Sequence, residues 1–186
     1  MEAVLNVSAQ NLNREFVKNL KSKFGKANFE IRVQVPAEAP TPFLDKDFWE
    51  VIDHLDWEKT GDDEAVLTPA IHFLAQKPLE HIYRFADLLS EKLFQLDTRA
   101  HAQVFLEKEK YLSVDDFLYV RCCVVANGRT VFEDILSHPE KMPLDFTFES
   151  LLDLPNQAFE LKTGQYHLIV PAYNYETYSN RNGWKK

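Results

Sequence analysis

Residues 113–128, SVDDFLYVRCCVVANG, open and close as a helix does. Ser113 is placed to cap the first turn, and Asp116 follows at the three-residue spacing of a capping box. Asn127 and Gly128 supply a pair suited to the left-handed turn beyond the last helical position. Between these ends Phe117, Leu118, Tyr119, Val120, Cys122, Cys123, Val124, Val125 and Ala126 cover every side of the cylinder. A helix that is apolar all round belongs in an interior, so the sequence predicts a central core helix with other elements packed about it.

One charge interrupts that helix. Arg121 is flanked at helical spacing by Phe117, Leu118, Val124 and Val125. A guanidinium does not shed its proton in a protein, so burial obliges it to find a carboxylate or several carbonyls. Two readings stand side by side. Arg121 is part of an internal ion pair or snorkels outward along its own stem, or it is an anion-binding arginine on the wall of a cleft. Charge accounting names Glu149, Glu133 or Glu176 as a partner within salt-bridge reach. If that pairing leaves donors free, a cleft lined by Tyr175 and Trp184 is the leading pocket.

Upstream of this helix, Ala3, Leu5 and Val7 alternate with polar neighbours, residues 9–24 carry Leu12, Phe16, Leu20 and Phe24 on one helical stripe, and Gly25 ends it. Phe29, Ile31, Val33 and Val35 then alternate with Glu30, Arg32 and Gln34. A strand, a helix and a strand in so short a span predict a βαβ unit over residues 1–35. Two strands alone are too few, so they must gain others from the C-terminal tail or from another subunit. Pro36, Pro40 and Pro42 make residues 36–44 a stiff, extended linker.

From Asp45 onward the pattern is helical. Helices are predicted from Asp45 toward residue 59, from 62 or 63 to 76 with a kink or break at Pro69, from Pro78 to 96, and from 98 to about 109. After the central helix, Thr130 and Glu133 repeat the capping-box spacing and predict a short helix over 131–137. Helical signals resume at 148–153 and 155–162, and residues 166–170 alternate briefly as a last short strand. The fold class predicted is α+β: a small βαβ head, the proline-rich linker, and a mainly α-helical bundle over 45–186 ending in an aromatic tail.

The chemistry classes are narrowed mostly by exclusion. The chain of 186 residues has formal charge −8, which disfavours a nucleic-acid partner, and no apolar run is long enough to span a bilayer. Its opening residues lack a basic start and a long apolar segment, so a cytoplasmic location without a membrane partner is expected. Cys122 and Cys123 are adjacent in a helix, where their side chains diverge, and read as small core residues rather than a disulfide or metal pair. None of the six histidines share the i, i+4 spacing of a zinc pair, and no nucleophile elbow or nucleotide loop is present. No catalytic residue, metal or cofactor is therefore expected. Asp62, Asp63, Asp115 and Asp116 sit in first helical turns, where the dipole accounts for them. In the tail, Tyr173, Tyr175, Tyr178 and Trp184 interleave with Asn174, Glu176, Asn180, Arg181 and Asn182, as in a docking edge or a terminal segment strapped over the bundle.

The order of FLYVRCCVVANG, VFEDILSHPEKMPLDFTFESLL and a terminal YETYSNRNGW behind FWEVIDHL resembles an uncharacterised family of bacterial helical domains, a domain of unknown function, over residues 45–184. The resemblance implies a helical fold and brings no established activity. It draws attention to Arg121, Gly128, Glu133, Glu149, Glu176, Asn180 and Trp184. Residues 1–35 also resemble short modules of small bacterial antitoxin-like proteins. Three functions follow as expectations. The first is a non-enzymatic protein-interaction or regulatory module, a homodimer through the N-terminal strands or a binder of another protein. The second is a small-molecule-binding protein or enzyme built on an Arg121-centred cleft, with Glu133, Glu149, Tyr175, Glu176, Asn180 and Trp184 around it. The third is an acidic immunity or antitoxin-like inhibitor.

Overall fold

The computed structural model describes residues 14–25, 42–109 and 111–185. The chain divides into two units, residues 1–37 and 38–186. Of the first unit the described part is helix α1 (Arg14–Phe24), with Lys21 and Lys23 in its last turn at the negative end of the helix dipole. Both strands expected of a βαβ head, and most of the proline-rich linker, lie outside the described residues.

The second unit holds α2 (Asp45–Ile52), α3 (Asp63–Gln76), α4 (Leu79–Leu96), α5 (Arg99–Glu109), α6 (Val114–Ala126), α7 (Arg129–Ser137) and α8 (Leu154–Thr163). Short 3₁₀ turns at Trp57–Lys59, Pro139–Lys141 and Glu149–Asp153 join them. Among the described residues there is no strand, so the expected α+β class is corrected to all-α. Residues 166–170 show the reason. They are extended and bury one alternate residue, Ile169, against the helices, but among the described residues they pair with no second chain segment. Period-two alternation reports an extended backbone with one covered face, and pairing needs a partner that the pattern does not contain.

The α6 helix is central, as its composition requires. Ser113 Oγ accepts the Asp116 amide at 3.3 Å, and Phe117, Val120, Cys122 and Val125 are all wholly buried. The helix stops at Asn127, and Gly128 follows at φ +90°, a region that side chains with a Cβ avoid. Gly128 itself is the N-cap of α7, which therefore starts one residue before Thr130. The capping box expected of Thr130 and Glu133 does not form; Glu133 instead accepts from Arg129 Nε at 2.7 Å.

Helix α3 runs through Pro69 without a break. Val66, Leu67, Ala70, Ile71 and Leu74 are buried on both sides of the proline, and packing of α3 along α8 outweighs the one hydrogen bond that proline cannot make. At the other side of the core, Lys92 of α4 is nearly buried. Its ammonium lies 4.8 Å from the Trp49 ring and 5.1 Å from the Phe48 ring and is ion-paired with Asp45 in the first turn of α2. Cation–π contact and a carboxylate together let the lysine stem fill an apolar gap while its charge stays satisfied.

Candidate functional site

Arg121 is the largest wholly buried side chain of the described core, with no exposed surface. It lies near the middle of α6 and points toward the end of α4 and the C-terminal tail. Its Nε donates to Phe117 O at 3.3 Å, one terminal nitrogen donates to Leu93 O at 2.9 Å and Tyr175 O at 3.0 Å, and the other donates to Thr177 Oγ1 at 3.0 Å. The guanidinium also stacks 4.9 Å from the Phe117 ring centroid. Thr177 passes the chain of bonds on, since its hydroxyl donates to Val114 O at 2.7 Å. One side chain thus ties α4 and the N-terminal half of α6 to the tail.

None of the three carboxylates named from the sequence pairs with Arg121, and that expectation is corrected. Glu133 is bonded to Arg129 on the surface, Glu149 lies beside the Tyr119 phenol, and exposed Glu176 acts on Arg121 only through space. Burial pushes the Arg121 guanidinium down from its ordinary value, and the strongest charge acting against that shift is the Asp97 carboxylate. The alternative that burial allowed, several carbonyls in place of an acid, is what occurs.

Asp97 is the group the sequence reading missed. It ends α4, has no exposed surface, and its carboxylate collects the tail. Oδ1 accepts the Tyr178 amide at 3.1 Å and Trp184 Nε1 at 2.8 Å, and Oδ2 accepts the Asn180 amide at 2.9 Å and the Ser179 hydroxyl at 3.3 Å. Asn180 extends this knot. Its Nδ2 donates to Phe94 O at 3.1 Å and its Oδ1 accepts the Gly183 amide at 3.1 Å. Tyr178 sits at φ 75°, a left-handed geometry costly for a tyrosine, and the bond to Asp97 together with ring contact to Trp184 at 4.4 Å holds it there. A signal for Asp97 did exist in the sequence. An acid at the last position of a helix opposes the helix dipole, so it needs donors from elsewhere.

Of the residues named from the sequence, Arg121, Tyr175, Asn180 and Trp184 are therefore drawn into one polar layer. Tyr175 takes part through its carbonyl while its ring packs on the core, and Trp184 meets the Phe117 ring edge-on at 6.1 Å. Glu133, Glu149 and Glu176 stay outside the layer. The cleft expected beside Arg121 is closed. A cavity of about 40 Å³ touches Tyr175, room for about one water. An open groove of about 710 Å³ lies elsewhere, between α5 and the tail end, with Arg99, Glu107, Glu140 and Lys185 on its walls.

His101 closes the far side of the layer. Its Nδ1 is 2.7 Å from the Thr98 hydroxyl and its Nε2 is 3.2 Å from Ile135 O, so Nε2 carries the proton and Nδ1 accepts. Burial holds the imidazole pKa below its ordinary 6.5, against the pull of the Ile135 carbonyl. The folded chain thus binds this proton less readily than the unfolded chain. The stability that follows is complete above pH 6.5 and is lost as pH falls through the folded value. Urea midpoints measured in a pH series should decline below 6.5, and His101→Gln should remove that decline; a wild-type midpoint flat through this window contradicts the assignment.

Among the described residues no helix is long and apolar enough to cross a membrane, and no three side chains of metal-ligating type are grouped. No curated protein and no solved structure matches the chain. A family model does match residues 44–161, a span that includes Asp97 and Arg121 and ends inside α8, before the tail that both residues hold. The chain belongs to that family, described as a protein of unknown function, DUF4240.

Proposed function

We propose that this protein is a non-enzymatic protein-interaction module. The observation that carries the reading is the row Tyr166, Leu168 and Val170, which are 70%, 61% and 85% exposed on an extended segment fixed to a rigid helical body. Apolar side chains gathered in one exposed row suit attachment of another polypeptide. The polar layer supports the same reading. Arg121 has no surface for a small anion to reach, and each of its nitrogens is already bonded to the chain. An Arg121-centred ligand cleft therefore loses its support, and the layer reads as the clamp that positions the tail.

The test is affinity capture with the full chain, wild type against Leu168→Arg, each captured protein then being purified and its affinity remeasured. Leu168 is exposed, so the variant should leave the thermal midpoint unchanged within error. At least one partner, which can be the chain itself, should bind the variant about tenfold or more weakly. If every captured protein binds both forms equally, the reading fails.

A further inference from the structure

Arg99, Gln103 and Glu107 follow one another at four-residue steps along one line of α5, and that line borders the open groove of about 710 Å³. The volume lies in the range of about 300–1,000 Å³ usual for small-ligand sites. At one end the tail supplies the wall. Gly183 O accepts the Arg99 amide at 3.0 Å, and a Cβ on Gly183 would meet Thr98 Cγ2 at 2.8 Å, so the tail lies tight on the start of α5 and brings Lys185 to the Arg99 end. Glu107 stands two turns further on, about 12 Å along the helix axis. The groove is therefore cationic at one end and anionic at the other. Ala100 and Val104 lie between those ends on α5, and Pro139 adds to the apolar lining.

These charges do not neutralise one another. Among the described residues no hydrogen bond or ion pair engages the Arg99 guanidinium or the Glu140 carboxylate, although both line the groove. Lys185 Nζ donates to Asn182 Oδ1 at 2.7 Å and keeps further N–H donors, while Glu107 accepts from Gln103 Nε2 at 2.8 Å through one oxygen and keeps the other. A groove that holds opposite charges apart selects a ligand that carries both, in reversed order. We propose that it is a binding site for a short zwitterionic peptide of about three or four residues, held extended, with its carboxylate against Arg99 and Lys185 and its ammonium against Glu107. Glu140 is the second carboxylate on the lining. The length follows from the span. At about 3.3–3.6 Å per residue such a peptide reaches about 10–14 Å, which matches the rise from Arg99 to Glu107. A single amino acid is too short to meet both ends, and a simple anion meets only one. The guanidinium fork suits a carboxylate, which it takes through two parallel N–H bonds. The groove shares no residue with the Tyr166–Val170 row, so this site stands or falls apart from the interaction reading above.

An NMR titration of the full chain with tetraalanine, up to about 10 mM, tests the assignment. Shifts should concentrate at the amides of Ala100, Gln103, Val104 and Gly183, with a Kd of about 1 mM or tighter. Blocking one end of the probe isolates each contact. Tetraalanine amide and N-acetyl-tetraalanine should each bind about tenfold or more weakly than the free peptide. Arg99→Gln should weaken tetraalanine by a similar factor and leave the amide form unaffected, whereas Glu107→Gln should weaken tetraalanine and leave the N-acetyl form unaffected. Both side chains are exposed, so the two variants should keep the wild-type thermal midpoint within error. The proposal is overturned by a titration without saturable shifts at the groove, or by blocked peptides that bind as tightly as the free one. Sodium acetate that shifts the same amides with equal affinity makes the groove a carboxylate site only, and the zwitterionic reading falls.

Discussion

Arg121→Ala should lower the free energy of unfolding by about 3–5 kcal/mol in urea denaturation, a large part of the total for a domain of this size. Three losses combine. The carbonyls of Leu93 and Tyr175 lose a charged donor, Thr177 loses its link to α6, and the largest fully buried side chain of the described core leaves a void against Phe117. Buried acceptors left without donors cost about 1–3 kcal/mol each, and the void adds to them. Arg121→Met separates the contributions. It fills most of the space with an apolar chain and should recover about 1–2 kcal/mol relative to alanine, while leaving the carbonyls bare. If Arg121→Ala costs less than about 1 kcal/mol, the polar layer is not what binds the tail to the helices.

How Arg121 was legible, and its partners were not, follows from what each leaves in a sequence. A charge on a cylinder that is apolar all round stands out, and so do the Ser113 cap and the Gly128 stop, because those features depend on neighbours within a few positions. The acceptors of Arg121 are mainly main-chain carbonyls. Every residue carries one, so Leu93 and Tyr175 bear no mark in their side chains of the bond they accept. Reasoning from side-chain charge alone led to Glu133, Glu149 and Glu176, and none of them is bonded to it. Pro69 misled in the opposite sense, because its local cost is real but smaller than the packing of α3 on α8. The alternation of residues 166–170 predicts a short strand, and among the described residues none forms there, because a strand is defined by its mate.

Asp97→Ala should destabilise the chain by a comparable amount, about 3–5 kcal/mol, and should do so with a different spatial signature. The substitution strands the amides of Tyr178 and Asn180 and the Trp184 indole nitrogen in one step, leaves the Ser179 hydroxyl only its bond to Asn174 O, and removes the strongest opposing charge that acts on buried Arg121. All of those donors belong to residues 178–184, so the first structure lost is the tail. Hydrogen exchange at the Tyr178 and Asn180 amides should accelerate well beyond that of α6, whose protection should fall only by the global loss. Tyr178, no longer held at φ 75°, relaxes to ordinary backbone geometry and loses its contact with Trp184. Asp97→Asn should cost less than alanine, since one oxygen of the amide still accepts, but its NH₂ faces donors that want an acceptor. Because Arg121 and Asp97 hold the same segment, the cost of Asp97→Ala should shrink in an Arg121→Met background by about 0.5–3 kcal/mol. Full additivity in that cycle, or equal acceleration of exchange in the tail and in α6, would show that the two residues stabilise separate parts of the fold and that no shared clamp exists.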